Sequence, residues 1–163
     1  MTDVRSKEAI ETLAENLGQQ HRIYDKDGRA DVLELVDQLN GLVQIDDNTD
    51  EDAPASLNVR AEDDFTILVP WNTSVVRDRF TVAHEIGHLK LHYSGQGEAT
   101  FYRFGRNRQE TEANLFAAAL LMPKDRFTQE YAECDGDINC LSKKFDVSRS
   151  TTLIRAQVLN LVS

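Results

Sequence analysis

The segment His84-Glu85-Ile86-Gly87-His88 constrains this chain more than any other part of its sequence. In a helix, His84 and His88 are four residues apart and therefore lie one above the other on the same face. Two imidazoles in this arrangement can bind one Zn²⁺, and Glu85 then lies beside the ion, where its carboxylate can accept a proton from water. The pattern predicts a helix that carries a hydrolytic zinc site. The alternative is an ordinary helix with two surface histidines and a solvated glutamate.

Length and charge limit what such a chain can be. Its 163 residues, 40% of them hydrophobic, suit one compact domain with a core of its own. No apolar run approaches the roughly 20 residues that a membrane-spanning helix needs, and the N-terminal segment lacks the apolar stretch of a secretory signal. The net charge of −10 argues against nonspecific binding to nucleic acids or anionic lipids. We therefore expect a cytoplasmic protein in which Cys134 and Cys140 are free thiols.

Hydrophobic periodicity and turn residues predict an α+β fold in which a small antiparallel sheet packs with helices. Gly18 is expected to end the first helix, and Pro123 to begin the helix after residue 121. Residues 96–108 are predicted to form an irregular loop, either clamped by its aromatic side chains or acting as a lid. The predicted helices cover residues 7–18, 32–40, 76–93, 109–121, 138–145 and 148–160, and the predicted strands cover 42–45, 56–60 and 65–70.

A hydrolytic zinc site needs a third protein ligand and one open position. The candidates are His92, Glu98, Glu110 and Glu112. His92 continues the stripe of His84 and His88, but each helical turn advances 5.4 Å, so three successive turns of a straight helix cannot close on one ion. A hydrogen-bonding or structural role therefore suits His92 better.

The two glutamates of the following helix point to different faces, about 200° apart. Glu110 shares its face with Ala113, Asn114 and Ala117, which are small enough for a close approach to the histidine helix. This favours Glu110 as the third ligand, with Asn114 supporting a ligand through a hydrogen bond. Glu112 remains the alternative ligand, because its own face is also partly apolar.

Two segments, Arg79 to His92 and Glu110 to Pro123, resemble the ImmA/IrrE family of zinc metallopeptidases. The resemblance implies a minimal zincin-like core with one Zn²⁺ per chain, held by His84, His88 and Glu110, with Asn114 supporting a histidine and Glu85 as the catalytic base. It also implies that the substrate is a helix-turn-helix transcriptional repressor, of bacterial, phage or mobile-element origin, whose cleavage relieves repression. The alternative is a non-catalytic antirepressor in which zinc is a structural element.

The oxyanion-stabilising residue stays open among His92, Tyr93 and Tyr102. We expect the metallopeptidase domain to span residues 1–135 and a C-terminal helical extension to span 136–163. This extension resembles a helix-turn-helix and is locally basic. Because the chain as a whole is acidic, we expect it to serve in structure or substrate binding rather than in direct DNA binding. The basic residues concerned are Lys143, Lys144, Arg149 and Arg155.

Overall fold

The computed structural model describes residues 6–46, 55–102 and 107–162. The predicted α+β class is confirmed, since these ranges contain helices and a four-stranded sheet. In none of these ranges does a helix combine the length and the apolar character that crossing a membrane requires. The elements are α1 Lys7–Gln20, α2 Val32–Gln38, β1 Gly41–Asp46, β2 Ala55–Ala61, β3 Asp64–Pro70, α3 Val75–Leu91, β4 Ala99–Tyr102, α4 Arg108–Leu121, α5 Lys124–Glu133, α6 Ile138–Phe145 and α7 Arg149–Val158.

The sheet is mixed rather than wholly antiparallel, with the strand order β1-β3-β2-β4. β2 pairs antiparallel with β3 and with β4, as predicted, but β1 runs parallel to β3. The tight turn between β2 and β3 makes these two strands antiparallel neighbours, and β3 lies between β2 and β1. Because β1 and β2 point in opposite directions, the strand between them must be parallel to one of the two.

The strand β4 lies inside the segment that was predicted to be an irregular loop. It pairs with β2, where Leu57 is opposite Phe101, and its side chains alternate between half-buried and exposed. The strand has only four residues and polar flanks, so the period-two signal was too short to recognise. Residues 103–106, which belong to the same predicted loop and lid, lie outside the described residues.

The first helix does not end at Gly18, contrary to the sequence prediction. α1 continues to Gln20, and Gly18 is buried where a Cβ atom would overlap the ring of Tyr24. The hydroxyl of Tyr24 donates to the carbonyl of Leu120, 2.6 Å away, at the end of α4. Gly18 is therefore needed for close packing of the Tyr24 ring against α1, and not for helix termination.

The helices α3 and α4 pack closely against each other in the centre of the molecule. A Cβ on Gly87 of α3 would lie 3.2 Å from Phe116 of α4, and the neighbouring small residues Ala83, Ala113 and Ala117 are fully buried. Small side chains at a helix interface let the two axes approach. This close approach brings the N-terminal turn of α4 beside the histidines of α3.

A buried arginine fixes the other side of α3. The guanidinium of Arg79 donates to the carbonyls of Ala30 at 2.6 Å, Phe145 at 3.2 Å and Asp146 at 3.1 Å. These three acceptors belong to the residues just before α2 and to the end of α6. Because a buried guanidinium needs such partners, the contacts lock the orientation of α3 relative to the C-terminal helices.

The two cysteines form a disulfide, so the expectation of free thiols was wrong. Cys134 follows α5 and Cys140 lies in α6, with their Cα atoms 5.9 Å apart. Asp135 and Gly136, both at positive φ, reverse the chain between the two helices. The sequence spacing did not reveal this turn, which brings the two sulfur atoms together.

Candidate metal centre

The predicted histidine pair lies in the C-terminal half of a long helix with a capped N-terminus. The side chain of Ser74 accepts a hydrogen bond from the backbone N–H of Arg77 at the start of α3. On α4, the side chain of Asn107 accepts from the backbone N–H of Glu110. Glu110 thus lies in the first turn of α4, where the positive end of the helix dipole favours a carboxylate.

The structure brings Glu110 together with both histidines. One carboxylate oxygen of Glu110 lies 2.9 Å from Nε2 of His84, and the other lies 2.9 Å from Nε2 of His88. The two Nε2 atoms are 3.1 Å apart. Ligand atoms bound tetrahedrally at about 2.0–2.1 Å stand roughly 3.3 Å from one another. The observed separations are close to that value, so this donor set fits a zinc ion.

Asn114 fixes the tautomer of His84. Its amide oxygen lies 2.8 Å from Nδ1 of His84, and an amide oxygen can only accept. In the neutral ring Nδ1 therefore carries the proton, and Nε2 presents a lone pair toward Glu110. A carbonyl partner on the second ring nitrogen is the usual way in which a metal-binding histidine is oriented.

A longer chain of hydrogen bonds fixes His88. Nδ1 of His88 lies 2.9 Å from Nδ1 of His92, and Nε2 of His92 lies 3.0 Å from a carboxylate oxygen of Glu112. Since the carboxylate accepts, neutral His92 donates through Nε2 and accepts at Nδ1. His88 then donates through Nδ1, and its Nε2 lone pair also faces Glu110. Two ring nitrogens and two carboxylate oxygens thus converge as acceptors, and a cation between them would resolve their repulsion.

Burial favours the neutral form of both His84 and His88. It lowers the pKa of His88 to about 3, with smaller contributions from the neighbouring His84 and His92. The pKa of His84 is also lowered, mainly by burial, although Glu110 and Asn114 act in the opposite direction. Only a neutral imidazole can bind a metal ion, so these pKa shifts prepare both rings for coordination.

Glu85 belongs to the same cluster as the histidines. It is 3% exposed, and it offers a carboxylate oxygen within 4.8 Å of ring nitrogens of His84 and His88. A cavity of about 270 Å³ opens over Glu85, His84 and Glu110. Water or a peptide can therefore approach this group of side chains.

The other sequence candidates lie elsewhere. Glu112 contacts His92 instead of the converging acceptors, and Glu98 is exposed ahead of β4. The hydroxyl of Tyr93 donates to the carbonyl of Gly97, 2.6 Å away, and Tyr102 is 53% exposed. Neither tyrosine contacts the converging acceptors in any hydrogen bond or ring contact of the described residues.

Two residues near the site were missed by sequence reasoning. The ring of Phe101 stacks on His88 with the centroids 5.1 Å apart and so covers the buried histidine. Arg77 lines the cavity above Glu85, about two helical turns before His84. The aromatic residues within the polar segment 96–108 were a signal for Phe101. The side chain of Arg77 carried no such signal, because exposed arginines are common on helices.

The C-terminal helices are less basic on their surface than their sequence implies. Arg155 is 1% exposed, where it donates to the carbonyl of Met122 at 2.9 Å and pairs with Glu11 at 3.3 Å. Lys144 pairs with Glu130, which leaves Lys143 and Arg149 as the exposed members of the basic group. The number of positive charges available to phosphates is therefore small.

Comparison with known proteins identifies one family. The family model Peptidase_M78, described as the IrrE N-terminal-like domain, matches residues 50–157, which is more than half of the chain. No curated protein matches the sequence. A solved structure described as a Mycobacterium tuberculosis transcriptional regulator superposes with a TM-score of 0.58 at 17% identity, over 91% of this chain and 46% of that chain. This likeness concerns the fold, and the chain spans less than half the length of that regulator.

Proposed function

The chain belongs to the Peptidase_M78 family of IrrE N-terminal-like domains, and from this membership we propose that it is a zinc-dependent endopeptidase that cleaves a helix-turn-helix transcriptional repressor. One observation carries the enzymatic part of the proposal. The Nε2 atoms of His84 and His88 and both carboxylate oxygens of Glu110 converge as acceptors within 2.9–3.1 Å. If Glu110 binds the ion through one of its oxygens, the three side chains would leave a fourth position for water or substrate, as hydrolytic sites require.

In the proposed mechanism His84, His88 and Glu110 hold the ion, and Asn114 and His92 keep the two rings in the required tautomers. Zinc, when bound, supplies a Lewis acid that acidifies water and polarises a peptide carbonyl. Glu85 accepts a proton from the attacking water and then delivers it to the nitrogen of the leaving amine. Its low exposure supports this role, because a carboxylate shielded from bulk water exchanges its proton with the bound reactants.

The proposal that the substrate is a repressor rests on the resemblance of the segments Arg79 to His92 and Glu110 to Pro123 to the ImmA/IrrE family. Repressor cleavage requires a site that accepts an extended segment of another protein. The cavity over Glu85 is open to solvent and lies beside the sheet, since Pro70 at the end of β3 lines it. The C-terminal helices supply surface next to this cavity, because Phe80 lines both it and a cavity that includes Val147 and Thr151. We propose that the exposed side chains of the C-terminal helices next to this cavity contact the substrate.

The test is a comparison of wild-type protein with Glu85→Gln. Both proteins are loaded with zinc and incubated with a library of peptides made from a digested bacterial proteome, and mass spectrometry identifies the new termini. We expect cleavage by the wild type and a loss of at least about 100-fold in Glu85→Gln, since a general base contributes roughly 10²–10⁴ to the rate. Zinc content and thermal stability, measured on the same samples, are expected to be equal.

Purified helix-turn-helix repressors then replace the library. Preferential cleavage of one repressor over unrelated folded proteins of similar size would support the substrate class. If neither protein cuts any peptide or repressor but both bind a repressor, the chain is a zinc-stabilised antirepressor and not an enzyme.

A further inference from the structure

A second cavity adjoins the candidate metal centre. Its volume is about 340 Å³, and it lies between α4 and α7. Phe80 and Asn114 line this cavity as well as the cavity over Glu85. Because Asn114 also contacts Nδ1 of His84, the two cavities meet at a residue that touches a proposed metal ligand. We call the second cavity the apolar pocket.

The walls of the apolar pocket are mostly hydrocarbon. Phe80 comes from α3, Leu115 and Ala118 come from α4, and Ile154 and Val158 come from α7. Ile154 is 58% exposed and lies at the rim. An apolar side chain that enters the pocket would therefore remove further apolar surface of the protein from water, which is the main source of favourable binding in such sites.

The α7 wall is held firmly in place. Arg155, next to Ile154, donates to the carbonyl of Met122 just after α4 and pairs with Glu11 of α1. Thr152 and Ala156 are fully buried on the inner side of α7. Since these contacts fix α7 against the end of α4, the pocket is present in the protein without a substrate.

We propose that the apolar pocket receives one bulky aliphatic or aromatic side chain of the substrate, in a residue close to the cleaved peptide bond. The inference rests on the proposed peptidase function and names a feature of its substrates. Its volume of about 340 Å³ is large enough for a bulky side chain. Because Phe80 and Asn114 line both cavities, a peptide bound over Glu85 would lie next to the apolar pocket and could place a side chain in it.

The first experiment measures the selectivity of the wild type. A peptide cleaved by the zinc-loaded protein is resynthesised with Leu, Phe, Ala or Asp at each position flanking the cleaved bond, and kcat/KM is measured for each. We expect one position at which Leu and Phe exceed Ala by at least about tenfold, since a methylene group in an apolar pocket is worth roughly 10–200-fold. Asp at that position is expected to be cleaved more slowly than Ala.

Two neighbouring residues of α7 provide a matched pair of variants. Ile154 lines the pocket, whereas Leu153, 40% exposed, is not among the described residues that line it. Ile154→Asp is expected to lower the Leu-to-Ala ratio of kcat/KM at least about fivefold, because it places a carboxylate at the rim. Leu153→Asp is expected to keep the ratio within about twofold, as a surface substitution does. Ala118→Leu, on the opposite wall, fills the pocket and is expected to favour smaller side chains.

Binding provides a readout that does not depend on turnover. In the Glu85→Gln background, the Kd of the uncleaved Leu peptide is expected to be lower than that of the Ala peptide, and Ile154→Asp should remove the difference. Two results would contradict the proposed role of the apolar pocket without contradicting the peptidase function. One is cleavage by the wild type without side-chain preference, and the other is an equal effect of Ile154→Asp and Leu153→Asp. A wild type that cleaves nothing would instead refute the proposed function itself.

Discussion

His84 and His88 lie one turn apart on the same helix, yet their Nδ1 atoms have different hydrogen-bond partners. His84 is supported by one neutral amide, that of Asn114, at the exposed edge of the cavity. His88 is buried and is supported by His92, which in turn contacts the carboxylate of Glu112. Water can replace a lost partner at the exposed end but not at the buried end. The two histidines should therefore respond differently when their supports are removed.

The largest effect on zinc affinity is expected at Glu110, which contacts both His84 and His88. Glu110→Gln keeps the size of the side chain but removes the negative charge that faces both Nε2 atoms. We expect zinc affinity, measured by competition with a chelator, to fall more than the roughly 10–100-fold that is typical of residues supporting a ligand. Arg108→Gln, an exposed change in the first turn of the same helix, serves as the control. Equal zinc affinity in Glu110→Gln and the wild type would exclude Glu110 as a ligand.

The buried hydrogen-bond chain from His88 through His92 to Glu112 is tested by Glu112→Ala. Loss of the carboxylate leaves His92 without its acceptor in a site with little access to water, and His88 can then change tautomer. We expect zinc affinity to fall about 10–100-fold, as for other partners of metal-binding histidines. Glu112→Gln, whose amide oxygen can still accept from His92, should recover most of the loss. If neither variant affects zinc, the hydrogen-bond chain does not orient His88.

Zinc affinity should be less sensitive to loss of Asn114, the exposed partner of His84. In Asn114→Ala a water molecule can take the place of the amide oxygen beside His84, so we expect zinc affinity to fall by less than about tenfold, the lower bound for supporting residues. The comparison with Glu112→Ala is made at the same pH and ionic strength. A larger loss in Asn114→Ala than in Glu112→Ala would reverse the proposed difference between the two ends.

The smallest effect concerns acid stability without metal. The pKa of His88 is lowered to about 3 in the folded protein from its usual 6.5, mainly by burial. The unfolded chain therefore binds this proton first as the pH falls, so the free energy of unfolding of the metal-free protein decreases between about pH 6.5 and 3. Urea titrations at several pH values should show this slope, and His88→Gln should make it shallower. An identical slope in both proteins would mean that folding does not lower the pKa of His88.

The sequence was sufficient to predict the elements that carry the site, but it left several contacts undetermined. The histidine helix, the glutamate helix and the α+β class follow from local periodicity, which the fold preserves. The strand β4 and the parallel pairing of β1 depend on chain reversals and neighbours that are distant in sequence. The cysteine pair depends on the two positive-φ residues between α5 and α6, and the role of Gly18 depends on the ring of Tyr24.

Within the site, too, some features follow from local sequence and others depend on residues that are distant in the chain. The small residues on the Glu110 face of α4 indicated which face approaches α3. The role of Glu110 as a metal ligand remains a proposal. His92 was expected to act in hydrogen bonding or structure, and it contacts both His88 and Glu112. The partner of His92 could not be inferred, because it depends on the rotation of α4 about its own axis. Phe101 lies over His88 only because β4 pairs with β2.

The central claim is that one zinc ion is held by His84, His88 and Glu110. Diffraction data from zinc-loaded crystals, collected on both sides of the zinc absorption edge, test it directly. We expect one anomalous peak per chain, about 2.0–2.1 Å from both Nε2 atoms and a similar distance from a Glu110 oxygen. A peak between His92 and Glu112, or no peak near His84 and His88, would contradict the account.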